Sequence, residues 1–249
     1  MAQEIELRLN PAIDPEPYAA VYARDGVVQI PNLFEPHVAD AIAAVLEKNT
    51  PWDLTFWGPG KAPESLDLAA INALGKAGLA ETARGVVERA RTGFGYSYLG
   101  YSMIAAHLQG RDPGHPLHTV TEFLNGPEFM DLGRAVIGGG PVTKVEAHAT
   151  CYRPGDFLNL HDDAHADRRR AAYTLGMTRK WRPDWGGQLL FHGPDGEIER
   201  GLSPGFNVLT LFRTPRAHSV ATVAAYAGAP RLSIVGWLRD DPIGGAAPP

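Results

Sequence analysis

The sequence predicts an α+β fold in which a helical N-terminal layer packs on a β-jelly roll, within one domain spanning residues 1–249. The first observation behind this prediction is a change near residue 140, from interrupted helical periodicity to short strands separated by turns. The second is that 28 glycines and 21 prolines are scattered along the chain, which indicates many turns rather than disorder. The third is that 249 residues, 44% of them hydrophobic, suffice for one sizeable core.

Composition and charge exclude several classes of protein. A formal net charge of -5 argues against a nucleic-acid partner held by bulk electrostatics. The single cysteine, Cys151, excludes a disulfide framework and a cysteine-rich metal site. No apolar run approaches the ~20 residues that cross a bilayer, and the N-terminus lacks a secretory hydrophobic segment. We therefore expect a cytoplasmic protein with no nucleic-acid or membrane partner, and the sequence leaves its oligomeric state open.

Residues 1–140 are predicted to be mainly helical. The clearest helix is Glu35–Asn49, in which Val38, Ile42 and Leu46 recur on one helical face. Similar but shorter patterns predict further elements in this region. They are the helices Gly78–Arg91, Thr119–Leu124 and Phe129–Ile137, and the strands Val27–Ile30 and Phe94–Ile104.

Residues 141–240 show short strands with Gly and Pro at the turns, a pattern typical of a sandwich or barrel. Residues 241–249 are expected to form a flexible tail. The predicted strands are Lys144–Tyr152, Phe157–Leu160, Arg170–Met177, Gln188–Phe191, Phe206–Phe212, Val220–Tyr226 and Leu232–Leu238.

A histidine and an aspartate two residues apart follow one of these strands. Side chains at i and i+2 of a strand point to the same face, so that His161 and Asp163 would lie close enough to share a metal ion. His218, at the start of a later strand, is the candidate third ligand. Two imidazoles and one carboxylate form the facial triad of non-haem Fe(II) oxygenases, which leaves coordination positions open.

A second pair with the same spacing, His165 and Asp167, competes for this role. It lies in a stretch with three consecutive arginines, residues 168–170, that is typical of a solvated turn. The first pair is favoured because Phe157–Leu160 supplies a strand directly before it. Asp162 is then expected to point away from the metal or to hydrogen-bond locally.

An arginine and a serine lie near the end of the strand series. Arg231 follows His218 after a turn, and a return strand would bring it back beside the metal. Its planar guanidinium matches a carboxylate in a bidentate arrangement. Ser233 lies two residues further on the same face and offers a hydroxyl to the same carboxylate.

Three segments resemble motifs of the Fe(II)/2-oxoglutarate dioxygenase superfamily, and most closely those of its prolyl-hydroxylase branch. They are Tyr152–Asp163 (YRPGDFLNLHDD), Trp185–Phe191 (WGGQLLF) and Arg231–Trp237 (RLSIVGW), in the family's order and spacing. The doubled aspartate and the arginine pair 169–170 are similar to ribosomal-protein prolyl hydroxylases and their bacterial relatives. The resemblance covers Val142–Asp240 and implies a double-stranded β-helix, the cupin-like jelly roll.

The resemblance also implies the cofactors and the roles of the site residues. It implies Fe(II), with 2-oxoglutarate and O2 as cosubstrates and ascorbate as an optional reductant. The C5 carboxylate of 2-oxoglutarate would meet Arg231, with Ser233 and Tyr152 as hydrogen-bond donors. Related halogenases carry Gly or Ala at the aspartate position, so that the carboxylate here favours hydroxylation. The implied metal ligands are His161, Asp163 and His218.

Three functions remain open from the sequence. The favoured one is hydroxylation of a prolyl residue in a protein or peptide, with release of succinate and CO2. The second keeps this chemistry but acts on free proline, another amino acid or a small natural product. The third is a jelly-roll module that binds a metal or ligand without turnover, which predicts a missing ligand or arginine. Residues 1–140 would shape the substrate site, with Trp57–Pro63 and Gly110–Pro116 as candidate lids.

Several aromatic and charged residues have two interpretations. Tyr96 and Tyr98 either form an aromatic wall for a proline ring or pack in the core. Residues 168–170 are expected to be a solvated sheet edge rather than a nucleic-acid patch. Trp237 is expected to lie in the core.

Overall fold

Antiparallel strands form one curled sheet, a half-barrel, in the computed structural model, which describes residues 6–164 and 168–241. Within these ranges the strands are β1 (Val27–Pro31), β2 (Asp53–Trp57), β3 (Pro63–Leu66), β4 (Tyr96–Ser102), β5 (Lys144–Val145), β6 (His148–Tyr152), β7 (Phe157–His161), β8 (Arg169–Met177), β9 (Leu189–His192), β10 (Ile198–Leu202), β11 (Phe206–Arg213), β12 (His218–Val220) and β13 (Arg231–Arg239). Their order along the sheet is β1-β11-β8-β13-β6-β4-β7-β12-β9-β10. The hairpin β2–β3 pairs with β4, and β5 pairs with β13.

Helices occupy the N-terminal part of the described chain. They are α1 (Pro15–Asp25), α2 (Pro36–Lys48), α3 (Leu68–Ala90), α4 (Met103–Gln109), α5 (Pro116–Leu124) and α6 (Pro127–Val136). Strands β1–β4 lie among these helices, whereas strands β5–β13 all follow the last of them in the described chain.

The main core lies between these helices and the outer face of the sheet. Val38, Ile42 and Leu46 of α2 are buried there, and this helix packs against β8, β11 and β13. Leu232 and Ile234 of β13 are buried in the same cluster. The amphipathic face predicted for α2 is thus the face that covers the sheet.

Alternation along β13 divides the two faces of the sheet. Successive side chains of a strand point to opposite sides. Because Leu232 and Ile234 face the core, the residues that alternate with them face the interior of the half-barrel. Arg231, Val235 and Trp237 line an internal cavity on that side. One strand therefore supplies both the hydrophobic core and the candidate site.

The predicted helix Glu35–Asn49 is confirmed as α2 (Pro36–Lys48), and the other predicted helices overlap α3, α5 and α6. Helix α1 was not predicted. It begins with Pro15 and also contains Pro17. Prolines are commonly read as turn signals, but they are tolerated in the first turn of a helix. Helix α4, the hairpin β2–β3 and strand β10 were likewise missed. The strand predicted at Phe94–Ile104 is shorter, because helix α4 begins at Met103.

The strand predicted at Val220–Tyr226 is wrong beyond Val220. The backbone N–H of Val223 donates to Asp156 O at 3.1 Å, and that of Ala224 donates to Trp185 O at 2.9 Å. These loop-to-loop bonds replace a strand ladder. Within residues 6–164 and 168–241, no helix is long and apolar enough to span a bilayer. The competing pair His165 and Asp167 lies outside the described residues, as does the predicted tail beyond Asp241.

Candidate active site

Two histidines face each other across neighbouring strands. His161 ends β7 and His218 begins β12, and the antiparallel register pairs the two residues directly. Their ring centroids lie 4.0 Å apart. The register therefore brings together two imidazoles that are far apart in the sequence.

Each ring is oriented by a backbone carbonyl two residues upstream. Nδ1 of His161 bonds to Asn159 O at 3.0 Å, and Nδ1 of His218 bonds to Arg216 O at 2.7 Å. Because a carbonyl oxygen only accepts, each Nδ1 carries the proton and each Nε2 keeps its lone pair. Burial, reinforced by the neighbouring His161, lowers the pKa of His218. A neutral imidazole with a free Nε2 is the form that binds a metal.

Asp163 completes the cluster two residues after the first histidine. Its Oδ1 lies 3.9 Å from His161 Nε2, and its Oδ2 lies 3.8 Å from His218 Nε2. One ligand atom from each of the three residues lies within 4.8 Å of the others. Two imidazole nitrogens and one carboxylate can hold a divalent transition metal and leave coordination positions open. Asp162 instead accepts a local bond from Ala164 N–H at 2.9 Å, as expected.

Two residues that the sequence analysis had placed elsewhere contact Asp163. Nη1 of Arg169 donates to Oδ1 at 3.1 Å, and Nε1 of Trp237 donates to Oδ2 at 2.9 Å. The prediction of a solvated edge is wrong for Arg169, whose side chain is only 19% exposed. Trp237, which was expected in the core, is partly buried against the cluster that contains Ala172 and Phe212, and it also lines the cavity. Alternation along the strand would have predicted this position, because Trp237 lies six residues after Arg231 and therefore on the same face.

Arg231 lines the same cavity of about 330 Å³ as the three-residue cluster. Its side chain is buried, at 5% exposure, and burial lowers the pKa of its guanidinium. No carboxylate of the described ranges forms an ion pair with it. A buried cation without a counter-charge is unfavourable, so that this part of the cavity favours an anion.

The glycine pair Gly186 and Gly187 lets its loop approach Arg231 closely. A Cβ on Gly187 would lie 3.3 Å from Arg231 Cδ and 3.1 Å from the ring of Trp181, and φ there is +68°. At Gly186, where φ is +71°, a Cβ would lie 2.0 Å from the carbonyl oxygen of Thr222. Both positions require glycine, since a side chain would meet backbone or packed rings in a left-handed conformation.

Tyr152 and Ser233 occupy different positions around the arginine. The guanidinium of Arg231 lies 5.1 Å from the ring centroid of Tyr152, which stacks on Tyr98 at 4.7 Å. Ser233 pairs with Thr150 across β6 and β13, and their hydroxyls lie 2.9 Å apart. Of these two hydroxyl residues, Thr150 lines the cavity and Ser233 does not. Ser233 lies beside Thr150 on the neighbouring strand and, with Arg231, lines a separate and smaller cavity.

Aromatic side chains continue from the cavity toward the hairpin β2–β3. Phe94 lines the cavity, and its ring centroid lies 5.6 Å from that of His161 and 5.0 Å from that of Trp57. Pro63, at the end of one candidate lid, also lines the cavity. Residues 110–116, the other candidate lid, are absent from the described residues that line it.

Residues 147–239 match the family model described as the 2OG-Fe(II) oxygenase superfamily. The matched segment includes the histidine–aspartate cluster, both arginines that line the cavity, and the aromatic residues Tyr152 and Trp237. The predicted resemblance is confirmed over this part of the chain.

Two curated proteins are similar to the same part of the chain. Prolyl 3-hydroxylase sudestada1 of Drosophila melanogaster is 31% identical over 109 residues, which are 39% of this chain and 20% of that protein. PKHD-type hydroxylase Mmar10_1675 of Maricaulis maris (strain MCS10) is 36% identical over 102 residues, which are 40% of this chain and 44% of that protein. The chain thus spans less than half the length of either relative.

A solved structure extends the likeness to almost the whole chain. It is a Pseudomonas putida prolyl-4-hydroxylase with a TM-score of 0.55 and 21% identity, covering 91% of this chain and 99% of that one. At this identity the likeness shows the fold, and the predicted jelly roll is confirmed.

Proposed function

We propose, for a chain whose residues 147–239 match the 2OG-Fe(II) oxygenase superfamily, the function of an Fe(II)- and 2-oxoglutarate-dependent hydroxylase acting on a prolyl residue of a protein or peptide. The observation that carries this proposal is the pairing of opposite ligand preferences within one cavity. A histidine–aspartate cluster suited to a cation and a buried arginine suited to an anion line the same 330 Å³ space. A metal-chelating dianion such as 2-oxoglutarate satisfies both.

His161, Asp163 and His218 are the proposed ligands of Fe(II). The two Nε2 atoms and the carboxylate converge on one point, and both Nδ1 atoms are already bonded to backbone. When bound, Fe(II) with 2-oxoglutarate and O2 supplies an oxidation that hydroxylates an unactivated C–H bond and releases succinate and CO2. The chain contributes the fixed ligand set and the sheltered cavity.

Arg231 is the proposed partner of the C5 carboxylate of 2-oxoglutarate. Its guanidinium is buried and has no acidic partner in the described ranges, so that the cosubstrate would supply the missing charge. Tyr152 is the proposed second donor, since its ring lies against the guanidinium. Ser233 is the proposed third donor, and Thr150 is proposed beside it, because Thr150 lines the cavity of the three-residue cluster and its hydroxyl lies 2.9 Å from that of Ser233.

The prolyl substrate is supported by the names of the relatives and by the wall of the cavity. Two of the proteins compared above are named prolyl hydroxylases. Phe94, Tyr98 and Leu158 give the cavity an apolar, partly aromatic wall near His161, which suits a pyrrolidine ring. Pro63 brings the hairpin β2–β3 to the same wall, where a peptide could rest along it.

An anaerobic titration tests the proposal. Fe(II) and then 2-oxoglutarate are added to the apo protein, and the visible charge-transfer band of the chelate is recorded. We expect the band to appear and to be followed, in air, by succinate release that proline-containing peptides stimulate. Free proline and other amino acids form the parallel arm of the screen, and stimulation by these alone would replace the peptide with a small-molecule substrate. A folded protein that gives no band would contradict the proposed chemistry altogether.

A further inference from the structure

We propose that Arg169 and Trp237 are positioning residues for Asp163, which hold its carboxylate in the metal-binding orientation before an ion arrives. This inference rests on the proposed function, since it concerns the same metal site. It assigns a role to two residues that, in the proposed function, neither bind the metal nor contact 2-oxoglutarate.

The carboxylate receives one hydrogen bond on each oxygen, and both come from outside the ligand set. Arg169 donates to Oδ1 at 3.1 Å, and Trp237 donates to Oδ2 at 2.9 Å. The Nε2 atoms of the two histidines lie at 3.9 and 3.8 Å, beyond hydrogen-bond distance. The orientation of Asp163 is therefore set by the arginine and the indole. Each carboxylate oxygen has two acceptor sites, so that one hydrogen bond per oxygen still leaves room for a metal.

The backbone at Asp163 gives this side chain little support. The strand β7 ends at His161, and Asp163 has φ of +62°, in the left-handed region that non-glycine residues rarely adopt. A strained conformation persists only when its surroundings hold it. The two bonds to the side chain supply such a constraint.

The two donors are themselves fixed by packing. The guanidinium of Arg169 lies 3.5 Å from the ring centroid of Trp237, a close stacking contact. They belong to the paired strands β8 and β13. The Trp237 ring also packs edge-on against His148 at 6.2 Å. Arg169 and Trp237 thus pack as one unit, and Arg169 places a positive charge beside a carboxylate that is only 7% exposed.

Metal affinity of the 249-residue protein tests the inference. The dissociation constant for Fe(II) is measured anaerobically for Arg169→Met, which removes the charge and donors, and for Trp237→Phe, which removes the indole N–H but keeps a ring. We expect about 10- to 100-fold weaker Fe(II) binding in both, the usual effect of losing a partner that orients a metal ligand. Arg170→Met and Trp185→Phe are the matched controls. Neither residue lines the cavity, and Arg170 pairs instead with Asp240.

A second readout separates positioning from a general loss of structure. Arg169→Lys keeps the charge and one donor, so that its Fe(II) affinity should lie between those of wild type and Arg169→Met. The charge-transfer band of the 2-oxoglutarate complex should shift in Trp237→Phe, because a change in the carboxylate alters the metal's ligand field. A loss of Fe(II) affinity in Arg170→Met equal to that in Arg169→Met would overturn the inference.

The two proposals fail in different ways. A wild-type protein that binds no Fe(II) would refute the proposed function. A wild-type protein that binds Fe(II), with Arg169→Met and Trp237→Phe binding it equally well, would refute only the positioning role.

Discussion

The two ends of the cavity differ in how far their polar groups are already satisfied. At the metal end, both Nδ1 atoms and both oxygens of Asp163 have hydrogen-bond partners. At the other end, the guanidinium of Arg231 is buried without an acidic partner among the described residues. The first end is preorganised by the chain itself, whereas no acidic side chain among the described residues completes the second.

This difference indicates what each end contributes to binding. Ligands held in place before the metal arrives lose little freedom on binding, which favours affinity. A buried arginine without a counter-charge instead provides selectivity among ligands, because a ligand that has no carboxylate leaves the guanidinium unpaired. Metal affinity and cosubstrate selectivity should therefore respond to different substitutions.

The largest effect is expected from removing a ligand at the metal end. His218→Ala, His161→Ala and Asp163→Ala should each abolish Fe(II) binding and Fe(II)-dependent succinate formation, because two remaining ligands cannot fix the ion. Calorimetry or anaerobic spectroscopic titration measures the binding. His192→Ala is the control, since His192 lies on the neighbouring strand β9, bonds to Ser219 and does not line the cavity. Full activity in any of the three variants would remove that residue from the ligand set.

The next effect separates the two ends. Arg231→Ala should weaken 2-oxoglutarate binding by about 3 kcal/mol, or roughly a hundredfold, because the C5 carboxylate would be left unpaired in a buried site. Fe(II) affinity should stay unchanged. Both constants are measured in one anaerobic titration, with the exposed Arg182→Ala as control. An unchanged affinity for 2-oxoglutarate would mean that the cosubstrate does not reach this arginine.

Sequence order and spacing predicted His161, Asp163, His218 and Arg231, and the structure brings all four to one cavity. These residues lie in short motifs whose strands are easy to recognise. Arg169 was misjudged because its neighbours in the sequence are charged. Only the pairing of β8 with β13 shows that its side chain turns inward to meet Trp237.

Cross-strand register explains why the sequence pointed to Ser233 and not to Thr150. Ser233 was predicted on the inner face of β13 beside Arg231, and alternation does put it there. What alternation along one strand cannot predict is that Thr150, directly opposite on β6, bonds to Ser233 and lines the cavity that Ser233 does not line. The N-terminal elements were harder still, because α1 and the hairpin β2–β3 carry weaker periodic patterns and are defined by their packing.

A smaller effect distinguishes these two hydroxyls at the arginine end. Thr150→Val should weaken 2-oxoglutarate binding by about 1 kcal/mol, or roughly fivefold, if its hydroxyl donates to the cosubstrate. Ser233→Ala should have a smaller effect, because Ser233 does not line the cavity of the three-residue cluster. Affinities from the same titration give the order of the two variants. The reverse order would place Ser233, rather than Thr150, in contact with the ligand.

The smallest effect is expected at the competing histidine. His165→Ala should leave Fe(II) affinity within about twofold of wild type, the scatter of a substitution away from a site. The reason is that His161, Asp163 and His218 already bring their ligand atoms within 4.8 Å of one another. The same anaerobic titration measures it, with Asp163→Ala as the positive control for loss of binding. If His165→Ala lost Fe(II) binding while Asp163→Ala retained it, the metal would be bound by the other pair, His165 and Asp167. The contrast between a preorganised metal end and an arginine end without a counter-charge would then no longer hold.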